Sequence, residues 1–380
     1  MADYAFPRDL LGQPAEARLN YFRAFTIAHP LLKEADAGLR QAIHEPAGWS
    51  LIFVYGPTGV GKTTLRRRVE KHLKESMMET LCQDPGLIPV VSMEAAAPDS
   101  SQFSWKDYYR RALIAMDEPL IDRKLTAQVR SSFRDTFGRA LTDPRVAAIE
   151  LRLAFESALA HRRPAAFFID EAQHLAKTKS GRKLQDQLDS IKSLASITNT
   201  VHILVGTYEL LPFRNLSAQL SRRSIDIHFP RYRAERAEDY TAFRNVVFTF
   251  QRHLPLTGET DLLPHLEYCY ERSVGCVGLM KDWLTRALAL AINQGAGAVS
   301  RKTLERTSWS LDQSERMARE TVDGENEVSE KKEKRDRLRQ LLRLETSRPA
   351  TSVNQPAPHG HPPVGQRKPV RDLVGVAKEA

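Results

Sequence analysis

Five short apolar runs recur along the chain, bounded by Gly, Pro or charged residues: Ser50-Leu-Ile-Phe-Val-Tyr55, Ile88-Pro-Val-Val-Ser-Met93, Ala165-Ala-Phe-Phe-Ile169, Val201-His-Ile-Leu-Val205 and the alternating Ile225-Asp-Ile-His-Phe229. Runs of this length and composition predict strands. Between them the pattern is helical. Ala15 to Ala28 and Leu31 to Ile43 lie between Pro7, Pro14, Pro30 and Pro46, Thr63 to about Met78 follows the first strand, and Trp105 to about His161 is interrupted near Pro119 and at Asp143-Pro144. Ala234 to about Ser310 is helical without strands, with Trp283 and the Leu-rich stretch from Leu279 to Ile292 on a packed face. Strands alternating with helices predict an α/β fold with a five-stranded, mostly parallel sheet and flanking helices. The organisation read from this pattern is an N-terminal helical segment (1–48), a core (49–232) with a helical insertion near 100–161, a small helical lid (233–312), and a charged helix and tail (313–380). Val328 to Leu344 reads as the charged helix; from Thr346 onward Pro and polar residues dominate, and the tail is expected to be disordered.

Composition narrows the class. Of 380 residues, 42% are hydrophobic and 27% charged, ordinary for a globular chain with a sizeable core. No apolar run approaches the roughly 18 residues of a membrane span, and the first residues lack a basic then apolar leader pattern. Three cysteines, with no CxxC pair, exclude a disulfide framework. Together these predict a reduced, soluble, cytoplasmic protein with no membrane partner. The charge is uneven: from Val328 to Ala380 there are 12 basic and 6 acidic residues, so a tail of +6 follows a body of only +3. Such a tail suits nucleic acid or an acidic partner.

The chemistry concentrates after the first strand, in Gly56-Pro57-Thr58-Gly59-Val60-Gly61-Lys62-Thr63 followed by Thr64. This is a phosphate loop in its strand–loop–helix setting. Its glycines let backbone N–H groups curl round phosphates. Lys62 would reach the β- and γ-phosphates of ATP, Thr63 would hold Mg2+, and the following helix points its positive end at the anion. The third strand ends in Asp170-Glu171. Asp170 would order the Mg2+ shell and Glu171 would act as general base on water. Thr207, at the end of the fourth strand, is the candidate for positioning that water. Arg222 or Arg223, just before the fifth strand, would reach a neighbouring copy's γ-phosphate, and Arg222 is preferred.

In this order the pieces resemble the AAA+ ATPases, a P-loop NTPase family, over roughly residues 15–310. The phrases Val-Tyr-Gly-Pro-Thr-Gly-Val-Gly-Lys-Thr-Thr (54–64), Phe-Phe-Ile-Asp-Glu-Ala-Gln-His-Leu (167–175) and Ile-Leu-Val-Gly-Thr-Tyr-Glu-Leu (203–210) are most similar to the TnsC/TniB/MuB type of transposition regulator. The resemblance implies a protein that binds ATP, assembles as a ring or filament on duplex DNA, recruits a transposase through or beside a TniQ-like adaptor, and disassembles on hydrolysis. Many family members carry an Arg on the lid near the γ-phosphate. Here Gly278 is followed by Leu279, so that role falls to Lys281 or is missing. The resemblance also points to the segment after the second strand for DNA. Lys106 and Arg110 share a helix face at i, i+4, and Arg130 and Arg134 repeat the spacing, suiting contacts to the DNA backbone without base reading. Two other functions remain open from the residues: a helicase loader or replication initiator, and a signalling or defence NTPase.

Overall fold

In the computed structural model, residues 5–45, 48–97, 103–121, 133–134, 140–141, 144–176, 181–214, 224–329 and 332–344 are described. The apolar runs form one sheet: β1 (Leu51–Tyr55), β2 (Val90–Glu94), β5 (Ala166–Asp170), β6 (Val201–Gly206) and β7 (Ser224–His228), in the order β2-β5-β6-β1-β7. Every pairing in it is parallel, with Leu51 opposite both His202 and Ser224, and Ala166 opposite both Val90 and Val201. β1, β5 and β6 are buried at every position, as expected of inner strands covered on both faces. β7 lies at an edge and is half-buried throughout, which is why its apolar residues alternate with Ser, Asp and His.

Two apolar layers cover the sheet. On one side, α2 (Pro30–His44) and α3 (Lys62–Ser76) pack Leu32, Leu39, Leu65 and Val69 against Ile52, Val54 and Ile203. Asp36 of α2, almost fully buried, accepts from Arg40 on its own helix and from Arg68 of α3 at 3.2 Å, joining the two helices. After the short α4 (Met78–Gln83), the other side is covered by α5 (Trp105–Ala115), α6 (Pro144–Arg162) and α8 (Gly181–Thr198). Tyr108, Tyr109, Leu113, Phe155 and Leu194 meet Phe53, Phe167 and Leu204 there. The short α9 (Leu211–Arg214), soon after β6, adds Leu211 and Phe213 to the same layer. Ser104 caps α5, accepting from the Asp107 N–H at 3.3 Å. Between α5 and α6, where the sequence predicts interrupted helix, the described residues include a small antiparallel pair, β3 (Phe133–Arg134) and β4 (Ala140–Leu141).

The lid has its own core. α10 (Ala237–Arg252), α11 (Leu266–Ser273), α12 (Val277–Asn293) and α13 (Arg301–Thr307) surround Phe243, Phe250, Trp283 and Leu288. Trp283 is fully buried, with its indole N–H on the Leu304 carbonyl at 3.1 Å. Cys269 and Cys276 are buried as well, and Cys269 belongs to this core. α1 (Ala15–Ala24) contributes Phe22 to the lid core, whereas α2 packs on the sheet, so the N-terminal segment is divided between two cores.

A second difference concerns the stretch assigned to the tail. Residues 311–328 form α14 (Leu311–Val328), which belongs to the same compact unit as everything before it; that unit ends at Val328. The charged helix expected over Val328 to Leu344 lies beyond it. It is α15 (Lys332–Leu341), within a second unit beginning at Ser329, where Leu338, Leu341 and Leu342 are exposed. The tail from Thr346, with its expected disorder, lies outside the described residues. Among the described residues no helix is long and apolar enough to cross a membrane.

Candidate functional site

β1 runs directly into the glycine-rich loop, and α3 starts at its end. Gly61 caps α3 with φ +116°, and Gly59 has φ +72°, conformations that side chains disfavour. Pro57, Thr58, Gly59, Gly61, Lys62, Thr63 and Thr64 line a cleft of about 860 Å³. The remaining loop residues support it from behind. Val60 is buried, and Gly56 lies so close to the Phe229 carbonyl that a Cβ there would sit 2.1 Å from its oxygen. Lys62 Nζ donates to the Gly56 and Pro57 carbonyls at 3.0 and 2.9 Å, folded back over its own loop. Burial pushes its amine down to about 8, against the opposing pull of Glu171, Cys276 and Asp170.

β5 delivers the acidic pair to the same place. Thr63 Oγ1 donates to Asp170 Oδ2 at 3.4 Å, so the hydroxyl and carboxylate assigned to Mg2+ are adjacent. Both are hard oxygen donors of the kind that ion takes. Among the described residues there is no cluster of three or more His, Cys, Asp or Glu able to hold a metal alone; Mg2+ commonly relies on water and substrate phosphates instead. Asp170 Oδ2 also accepts from Arg66 Nε at 3.0 Å, a partner that no motif in the sequence signals. Arg66 in turn pairs with Glu70 at 2.5 Å. Glu171 takes a left-handed backbone, φ +51°, supported by its own N–H on Asp170 Oδ1 at 3.0 Å. That conformation is uncommon for a non-glycine residue and costs about 1–3 kcal/mol. Thr207, just beyond β6, lines the cleft beside Glu171.

Gln173, also unforeseen, opens α7 (Gln173–Ala176) and joins these last two residues. Its Nε2 donates to Glu171 Oε2 at 2.5 Å, and its Oε1 accepts the Thr207 N–H at 3.3 Å.

The lid closes the other side. The Leu279 N–H in the first turn of α12 donates to the Gly59 carbonyl at 3.1 Å. Gly278 fits against the loop only because it has no side chain: a Cβ would lie 2.4 Å from Gly59 O. Lys281 lines the cleft, but its Nζ donates to the Arg23 carbonyl at 2.6 Å; burial lowers its pKa, opposed by Asp282 and reinforced by Arg67. The cleft's last wall is α14, through Met317, Glu320, Thr321, Asp323, Gly324 and Glu327. The local signal in the sequence is Gly324, a glycine within a charged helical stretch. Glu325 anchors this helix, accepting from Arg231 at 3.1 Å and pairing with Arg233 at 3.6 Å.

Two other expected residues, Lys106 and Arg110, are not in the cleft. Lys106 is half-buried and Arg110 exposed on one face of α5, and neither lines it. Arg134 is in β3, while Arg130, Arg222 and Arg223 lie outside the described residues.

Residues 47–213 match the family model described as AAA domain. No curated protein sequence matches the chain. Among solved structures, the Aeropyrum pernix ORC2 protein in its ADPNP-ADP complexes aligns with TM-score 0.51 at 16% identity, covering 78% of this chain and 71% of that one. The ADP form of the same protein gives TM-score 0.48 at 14% identity, covering 76% and 71%. The Aeropyrum pernix ORC1 protein in complex with DNA gives 0.47 at 19%, covering 72% and 64%. The fold is that of an AAA+ P-loop NTPase.

Proposed function

We propose that the chain is an ATPase that oligomerises on duplex DNA and regulates transposition by marking a target for a transposase. The observation that carries the nucleotide part is the convergence of Lys62, Thr63, Glu171 and Thr207 on one cleft, with Asp170 bonded to Thr63. The complexes of the similar ORC2 structure with ADPNP and ADP support an adenine nucleotide. The loop amides and Lys62 would hold the phosphates, once Lys62 exchanges its loop carbonyls for phosphate oxygens. Thr63 and Asp170 would hold Mg2+, whose contribution is to neutralise charge on the phosphates. Glu171 would take a proton from water, and Thr207 would orient that water. Hydrolysis would release the assembled form.

The DNA and transposase parts rest on the sequence phrases 54–64, 167–175 and 203–210, with support from the Lys106–Arg110 face of α5 and the +6 tail. Arg222 or Arg223 of one copy would complete the site of the next, and Lys281 would serve the γ-phosphate after leaving the Arg23 carbonyl. A TniQ-like adaptor would supply target choice. The fold likeness to an origin-recognition protein favours a second reading, a replication initiator or helicase loader. Negative-stain imaging with duplex DNA tests the assembly. Rings or filaments with ATP or a non-hydrolysable analogue, absent without nucleotide and in Lys62→Ala, are expected. No DNA association in any nucleotide state would overturn the reading. Stimulation of ATP turnover by a replicative helicase and not by a transposase would select the second.

A further inference from the structure

Gln173 is 6% exposed, and its side chain is held at both ends of its amide. The Thr207 backbone N–H can only donate, so the atom it meets at 3.3 Å is the carbonyl oxygen. That fixes the amide's orientation and turns its NH2 group onto Glu171 Oε2 at 2.5 Å. The surroundings are shaped for this side chain. At Gly206, a Cβ would lie 2.3 Å from Gln173 Oε1 and 2.9 Å from Leu210 Cδ1, so only glycine admits the amide. The loop itself is pinned to the strand by the Ala172 N–H on the Val205 carbonyl at 2.9 Å. One oxygen of Glu171 is thereby bound, and the carboxylate is oriented by a group that also reads the end of β6.

We infer that Gln173 is the positioning residue for hydrolysis, locking the Glu171 carboxylate to Thr207 so that base and water-orienting residue keep one relative geometry. This rests on the proposed ATPase activity. A flexible carboxylate at the end of a strained backbone samples orientations in which no oxygen faces the reacting water; a single donor, fixed from its far end by backbone, removes them. The effect belongs to the chemical step, because Gln173, although it lines the cleft, directs its side-chain hydrogen bonds to Glu171 and Thr207 and not to the phosphate loop.

The test is ATP hydrolysis by the full chain with Mg2+ and duplex DNA, with kcat and KM resolved, together with equilibrium binding of a fluorescent ATP analogue and thermal melting. Gln173→Met keeps the length and removes both hydrogen bonds. Gln173→Glu keeps an acceptor for Thr207 and places a second carboxylate against Glu171. Both are expected to lower kcat about tenfold or more, with KM and analogue affinity within about twofold and melting temperature lowered by only a few degrees. In single-turnover assays, Gln173→Met added to Glu171→Gln is expected to cost nothing beyond Glu171→Gln alone, because the removed bond acts through Glu171. An unchanged or raised kcat in Gln173→Met, full activity in Gln173→Glu, losses shared equally with affinity and melting, or additive losses in the double variant would each overturn the inference. A parent chain with no turnover would overturn the hydrolysis reading and this inference with it, whereas turnover indifferent to Gln173 overturns the inference alone.

Discussion

At Gly59 a single missing side chain joins two parts of the molecule. Its φ is +72°, and a Cβ would lie 2.5 Å from Leu279 Cγ, inside the contact that brings α12 onto the loop. Gly59→Ala is therefore expected to lower unfolding free energy by about 1–3 kcal/mol, measured by urea denaturation; an unchanged midpoint would mean that the lid does not rest on this loop. Three histidines carry a different prediction. Burial pushes His29 and His202 down to about 4, and burial with Arg233 nearby does the same to His228. Each is depressed from an ordinary 6.5, so between pH 6.5 and 4 the unfolded chain holds more protons than the folded one. Their contribution is fully present above 6.5 and is lost as pH falls towards 4. Melting temperature should drop through that window, and His202→Gln, whose amide can still donate to the Thr200 carbonyl that His202 meets at 2.9 Å, should flatten the drop.

Among the elements, α14 departs most from what its sequence suggests. Its composition is that of a solvated helix, yet it walls the cleft and is held by a buried acid between two arginines. Glu325 is 9% exposed, so Glu325→Ala would leave the Arg231 and Arg233 guanidinium groups without it, at a cost of about 3 kcal/mol. Arg231 keeps its bond to the Tyr270 hydroxyl at 2.7 Å, which tempers the loss. Gly324 makes the more discriminating test. In a free helix, Gly→Ala gains up to about 1 kcal/mol. Here the new Cβ would lie 2.2 Å from the Tyr208 ring, and overpacking costs about 1–3 kcal/mol. Denaturation of Gly324→Ala should show a net loss; a gain would mean that α14 is not seated on Tyr208. A glycine within an otherwise charged, helical stretch was the one local sign of close approach.

For the molecule as a whole, residues 329–380 form a separate unit, so deleting them is expected to leave the thermal unfolding of the remainder unchanged. If the proposed DNA binding uses the basic tail, the same deletion should weaken it and shallow its salt dependence, by about 0.9 in log–log slope for each DNA phosphate that the tail had neutralised. An unaltered slope would leave the grip to the body. The sheet and the glycine-rich loop were legible because their signals are local. A strand buried on both faces must be a continuous apolar run, and a loop that wraps phosphate must have glycine and lysine at set intervals, so β1, β5, β6 and Gly56 to Thr63 could be read one segment at a time. The Asp170-Glu171 pair was legible for the same reason. What only the tertiary structure decided are relations between distant segments: α1 joining the lid, Arg66 sharing Asp170, Lys281 turned to Arg23, Gln173 bridging Glu171 and Thr207, and α14 closing the cleft. The physical reason is that a hydrogen bond or a close approach between residues far apart in the chain leaves no periodicity and no spacing in the sequence, and exists only once packing has brought the partners together.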